Sequence, residues 1–159
     1  MSGPGARRPE LAALAASAEE LVTAARTATT PEGEWTPALN LGHLSQVDDE
    51  VWAPRIMQMV DARHRSSASP TFSWWESAEG STETRFAEYT LDAAAGELSR
   101  SRAALIGLLA GLSDDEWTAI AHHDVFGVID IVGLVREVLA HDHVHMELLG
   151  APGGSSGSQ

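Results

Sequence analysis

Apolar residues recur at spacings of three and four along four long stretches of this chain, and nowhere does the sequence alternate convincingly at a period of two. Amphipathic helices of such length bury their apolar faces by packing side by side, so the expected fold is all-α, a four-helix bundle. The first stretch covers residues 9–28. There Leu11, Leu14, Ala15, Ala18, Leu21, Val22 and Ala25 share one side, and Pro9 suits the first turn. The second opens on Thr36-Pro37, a capping residue followed by proline at the first helical position, and runs to about residue 63. Leu39, His43, Val47, Val51 and Pro54 form its stripe. Pro54 cannot donate to the carbonyl of Glu50, so a bend is expected there.

Residues 65–80 read as a loop rich in Ser, with Phe72, Trp74 and Trp75; a loop this long with bulky aromatics packs over something. The third helix is expected over 81–112, with Phe86, Leu91, Leu98, Leu105, Leu108, Leu109 and Leu112 on its apolar side. Ser113-Asp114-Asp115-Glu116 predicts a capping box for one short turn ending near Trp117. Asp130 then caps a fourth helix over 131–149, which Gly150 stops. Segments 1–8 and 151–159, rich in Gly and Ser, are expected to be disordered, leaving one domain over 9–150.

Composition removes several chemistries. Ten arginines and no lysine face 23 acidic residues, for a formal net charge of −13. Such a chain repels phosphate backbones, which argues against nucleic-acid binding. Without lysine there is no Schiff base and no P-loop; without cysteine there is no disulfide, thiolate metal site or cysteine nucleophile. Any thiol in its chemistry would arrive as a cosubstrate. The longest clean apolar run, 103–112, is about half of the ~20 residues that span a membrane. Arg7-Arg8 ahead of residues 11–16 outlines a signal peptide, but acidic residues on both sides leave its hydrophobic region too short. The expectation is a cytoplasmic protein acting on a small molecule, with neither nucleic acid nor membrane as partner.

Seven histidines raise the question of a metal. His141 and His145 are four apart and project from one face of the last helix, with Leu134, Val138 and Leu148. His143 points away, toward Arg136 and Glu147. His43 sits on the stripe of the second helix between Leu39 and Val47. A pair of this spacing plus a third imidazole from a facing helix suits a divalent metal with open positions. A histidine on an apolar face is more often simply a core residue, so spacing alone leaves both readings open. His64 reads as a surface residue. His122-His123 would cap or line a pocket mouth. Asp142 could orient a neighbouring imidazole, or be a solvated helix residue. Glu50 falls back on the His43 stripe seven positions on and could act as a base, although an acidic run such as 48–50 is usually a solvated face. Trp52, Phe72, Trp74, Trp75, Tyr89 and Phe126 are candidates for the wall of an apolar pocket, with Trp52, Trp74, Trp75 and Phe126 foremost.

Four short motifs stand in order on these helices. Trp35-Thr36, followed by His43-Leu44, resembles the opening of the second helix in DinB/YfiT-like proteins. Leu109 to Trp117 resembles that family's turn after the third helix. His123 to Gly127 with Asp130 resembles its loop and cap before the fourth helix, with Asp124 where proline is usual. His141-Asp142-His143-Val144-His145 matches its H-D-x-x-H segment. The resemblance covers roughly residues 10–149. It implies a four-helix bundle with an unusual connection order, a metal triad of His43, His141 and His145, and a homodimer. It also implies either metal-dependent hydrolysis or transfer onto a small thiol such as mycothiol, bacillithiol or glutathione, acting on an electrophilic small molecule. The lysine-free, Ala- and Arg-rich composition fits a GC-rich genome and so a mycothiol-type thiol. Zinc or nickel leads among the metals, with iron, manganese and copper also accepted by imidazoles. The alternatives are a lyase, isomerase or cyclase on the same scaffold, and a non-catalytic binding or interaction bundle.

Overall fold

Helix α1 spans Arg8–Thr27 in the computed structural model, which describes residues 8–150. The terminal segments 1–7 and 151–159 lie outside the described residues, and Arg8 already begins α1. The second helix starts as read from the sequence: the Thr36 hydroxyl accepts from the Leu39 amide at 3.1 Å and Pro37 opens α2, Pro37–Val47.

Near Pro54 the chain does not merely bend. Residues Asp48–Trp52 form a π-helical turn, in which the Ala53 amide bonds the Asp48 carbonyl five residues back, before α3 continues over Ala53–His64. Inserting one residue in the ladder accommodates the missing proline donor and rotates everything beyond it by one position. Val51 follows His43 and Val47 along the inward face as expected, and Glu50 lies exposed.

The expected third helix is two. A short α4, Ser81–Phe86, ends in a turn; Thr90 then caps α5, Leu91–Ala110, accepting from the Ala93 amide at 3.0 Å. The break lets the Phe86 ring lie flat on α2 at Gly42, where an added Cβ would come within 2.6–2.8 Å of three ring atoms. Gly42→Ala is therefore expected to cost about 1–3 kcal/mol by overpacking, read as a lower denaturation midpoint. An unchanged midpoint would show that Phe86 moves aside freely.

Ser113 and Glu116 form the expected reciprocal capping box, Ser113 N–H to Glu116 Oε1 at 2.7 Å and Glu116 N–H to Ser113 Oγ at 3.1 Å, over a 3₁₀ turn Glu116–Thr118. A small sheet follows, which the absence of period-two alternation did not predict. β1 (Thr71–Phe72) runs parallel to β2 (Ile120–His123), which pairs antiparallel with β3 (Gly127–Asp130). The strands are two to four residues long, too short for alternation to stand out. The sheet pins the aromatic loop to the rest of the molecule. Asp130 Oδ1 accepts from the Gly133 amide at 2.8 Å and starts α6, Ile131–Gly150.

The four long helices, α1, α2–α3, α5 and α6, pack as a bundle in which α2 lies on α5, α5 on α1 and α1 on α6, with α6 meeting α2 again at the histidines. Two apolar clusters fill the interior. One gathers Leu14, Val51, Ile56, Leu105, Trp117 and Val138; the other gathers Leu21, Leu41, Leu44, Leu98 and Leu149. Between them along each helix comes a polar layer: Ser17, Asp48, Arg102 and Asp142. Arg102, 2% exposed at its side chain, uses all five guanidinium N–H groups: on Asp48 (3.1 and 3.3 Å), on Asp142 (2.7 and 2.9 Å) and on the Leu14 carbonyl (3.1 Å).

Candidate metal centre

Helices α2 and α6 bring three histidines together. His43, His141 and His145 each offer a nitrogen, and the three nitrogens lie within 4.8 Å of one another. Ring centroids are 5.5 Å apart for His43–His141, 5.1 Å for His43–His145 and 4.7 Å for His141–His145. His141 and His145 share a face of α6, as their spacing requires; His143 sits outside it, paired with Glu147 at 3.1 Å. Burial pushes all three site imidazoles down, His43 to about 4 and His145 to about 3, and neighbouring rings add to it for His43 and His145. They are neutral at physiological pH, the form in which imidazole binds a metal.

One of the three has its tautomer set. The Asn40 amide donates to the carbonyls of Trp35 (3.3 Å) and Thr36 (3.1 Å), which leaves its oxygen facing His145 Nδ1 at 2.8 Å. An oxygen can only accept, so His145 carries its proton on Nδ1 and keeps the Nε2 lone pair. His43 Nδ1 and His141 Nδ1 are buried and find no hydrogen-bond partner among the described residues. Orphaned buried nitrogens on neutral rings, beside a ring with a fixed free lone pair, are the donor set a divalent cation requires. Asn40→Ala should weaken zinc binding by about 10–100-fold while the bundle stays folded, as measured by competition with a chelating dye. An unchanged affinity would show that the bond to Asn40 does not tune the site.

The shifts also set a pH dependence for the metal-free protein. Each depressed imidazole is neutral in the folded chain while the unfolded chain takes its proton near 6.5. Their stability contribution is complete above about pH 6.5 and is lost as pH falls toward 4 and then 3. In urea denaturation from pH 7 to 4, the wild type should lose more stability than a His43/His145 double alanine variant; parallel curves would contradict this.

A cavity of about 440 Å³ opens beside the histidines, with His43 and His141 in its wall. Trp52, Trp74, Trp75 and Phe126 all line it. Phe72 lies buried in the core, and Tyr89 packs on Phe86 away from the cavity. Glu50 does not line it either: it lies exposed, where it meets Arg85 at 3.2 Å. Asp142 orients no imidazole, since its carboxylate is bound by Arg102 and by the Ser17 hydroxyl at 2.7 Å. Asn40 does that work instead.

The cavity wall holds four polar residues that the sequence did not single out, Arg55, Glu76, Ser77 and Glu137, together with His123, which was expected to cap or to line a pocket mouth. Glu137 lies four positions before His141, so the run Glu137, His141, His145 was there to be read at helical spacing. His123 Nδ1 accepts the amides of Val125 (3.0 Å) and Phe126 (3.3 Å), and burial lowers its pKa. The ring is thus neutral with its proton on Nε2, and its 3.2 Å approach to Asp124 is not an ion pair. His122, exposed on β2, and His64, paired with Glu116 at 2.6 Å, stand outside the site.

A four-helix bundle with three neutral imidazoles converging beside an aromatic cavity defines the class: a helical protein with a candidate metal centre between two of its helices. The chain belongs to the DinB superfamily, which it matches over residues 8–149. Its fold is similar to that of YfiT from Bacillus subtilis, described as "a probable metal-dependent hydrolase with an unusual four-helix bundle topology". The two are 15% identical, with a TM-score of 0.67 over 94% of this chain and 86% of that one. No curated protein matches the chain. Among the described residues no helix is long and apolar enough to cross a membrane.

Proposed function

We propose that this protein is a metal-dependent enzyme that hydrolyses a small electrophilic molecule or joins it to a small thiol, with the metal held by His43, His141 and His145. The observation that carries the reading is the opening of the histidine cluster onto a cavity walled by three tryptophans and a phenylalanine. A bound divalent metal supplies Lewis acidity and lowers the pKa of water or of a thiol. Asn40 holds the His145 lone pair on Nε2, and the aromatic walls exclude water around an apolar substrate. Glu137 is the carboxylate on the α6 wall and takes the proton released by the nucleophile, the role Glu50 is too remote to fill. With no cysteine in the chain, a thiol enters as cosubstrate, mycothiol or another of its kind. A cytoplasmic homodimer belongs to the same reading.

The test is turnover of activated esters, lactones and epoxides by zinc- or nickel-loaded protein, with and without mycothiol or glutathione. Turnover that requires thiol and vanishes in His145→Ala supports the transferase. Thiol-independent release of an acid and an alcohol supports the hydrolase. Turnover undiminished in His145→Ala would overturn both.

A further inference from the structure

Arg55 differs from the other arginines whose side chains are described. Arg26, Arg63, Arg65, Arg85, Arg100 and Arg102 each meet a carboxylate within 4.0 Å, and Arg136 stands exposed to water. Arg55 lies half-buried in the cavity wall, with no carboxylate of a described residue within that distance. Its guanidinium is held in place from two sides. The carbon at its centre sits 4.8 Å over the Phe72 ring, and one nitrogen donates to the Ser73 carbonyl at 2.7 Å. That bond uses one of five N–H donors, so four meet no acceptor among the described residues. Asp124, the carboxylate whose charge acts on Arg55, spends Oδ1 on the Trp74 amide at 2.9 Å and lies half-exposed. Burial lowers the Arg55 pKa, with Asp124 opposing it only in part. His123 adds a neutral Nε2 donor on the same wall.

We propose that the Arg55 end of the cavity binds a carboxylate, and that the molecules this site accepts are small aromatic or apolar acids whose anionic end lies against α3 and whose reacting end faces the histidines. The proposal rests on the reading of this cavity as the substrate site. A planar guanidinium with adjacent free donors matches the two oxygens of a carboxylate. A single positive charge suits a single negative one. Glu137, on α6 in the same cavity, and Glu76, whose carboxylate accepts from the Trp74 ring nitrogen at 3.3 Å, would repel a phosphate dianion. Glu137 lies one turn before His141 on α6, so the end of the ligand that faces the histidines must be neutral or cationic.

The experiment separates this site from the metal. Phenylacetate and phenylacetamide, equal in shape and different in charge, are titrated into the metal-free full chain and into a His43/His141/His145 triple alanine variant. Quenching of tryptophan fluorescence and calorimetry report binding. The acid should bind about tenfold tighter than the amide in both proteins. The gap should close in Arg55→Met and survive in part in Arg55→Lys, which keeps the charge without the fork. Equal affinities in the wild type, binding of neither probe at millimolar concentration, or a gap that persists in Arg55→Met would overturn the proposal. The wild-type comparison stands even if Arg55→Met loses its fold along with the Ser73 contact. A gap in a chain that takes up no metal would sustain the carboxylate site while the metal-dependent reading failed.

Discussion

Arg102→Met is expected to destabilise the protein by about 3–5 kcal/mol, which for a domain of this size lowers Tm by about 6–20 °C. The reason is what the substitution leaves behind. Asp48 and Asp142 are each 1% exposed at the side chain, and Arg102 is the one cation among the described residues that touches either. Ser101 and Ser17 donate to them at 3.0 and 2.7 Å, which cannot balance two charges out of water. Burial already pushes Asp48 up to about 6 with Arg102 in place. Methionine matches much of the arginine's volume, so the loss measures electrostatics rather than a cavity. Adding Asp48→Asn and Asp142→Asn to Arg102→Met should recover a large part of it. A loss below about 1 kcal/mol for the single variant would show that water reaches the layer. The layer also bears on the site. Asp142 lies between His141 and His145 in sequence, and its anchorage to α5 and α1 fixes the rotation of α6 that turns both imidazoles toward α2.

Zinc at about a thousand times its Kd should stabilise the chain by about 4 kcal/mol, a rise in Tm of about 8–16 °C. His43 lies 98 positions before His141, so the unfolded chain does not hold the three ligands together and zinc binds the folded state. The shift should grow with the logarithm of zinc concentration, reverse on chelation and be absent from the triple alanine variant. An equal shift in that variant would place the bound zinc elsewhere, on exposed pairs such as His143 and Glu147.

Long-range periodicity made the bundle legible, and side-chain chemistry at helix starts made its boundaries legible: Thr36, the Ser113/Glu116 box and Asp130 all cap where the sequence places them. The histidine trio could be drawn because two members lie one turn apart and the third sits on an apolar stripe. What escaped depends on contacts that spacing does not encode. The π turn was not encoded, and Glu50 lies outside the cavity, while Val51 stands on the stripe where the spacing put it. Strand β1 owes its existence to a partner about fifty residues away, Thr71 against His122 and Phe72 against His123, and β2 and β3 are too short for alternation to stand out. The α4–α5 break answers to Phe86 docking on Gly42. Asn40 reads as an ordinary polar residue in a helix's first turns until its oxygen is seen facing His145, and Arg55 as a surface arginine until the aromatic loop closes over it.

The most direct test of a metal centre at His43, His141 and His145 is elemental analysis of protein purified without a histidine tag, beside the folded triple alanine variant. About one divalent metal per chain is expected in the wild type and none in the variant. No metal in the wild type after incubation with zinc and nickel, or metal retained in the variant, would contradict it.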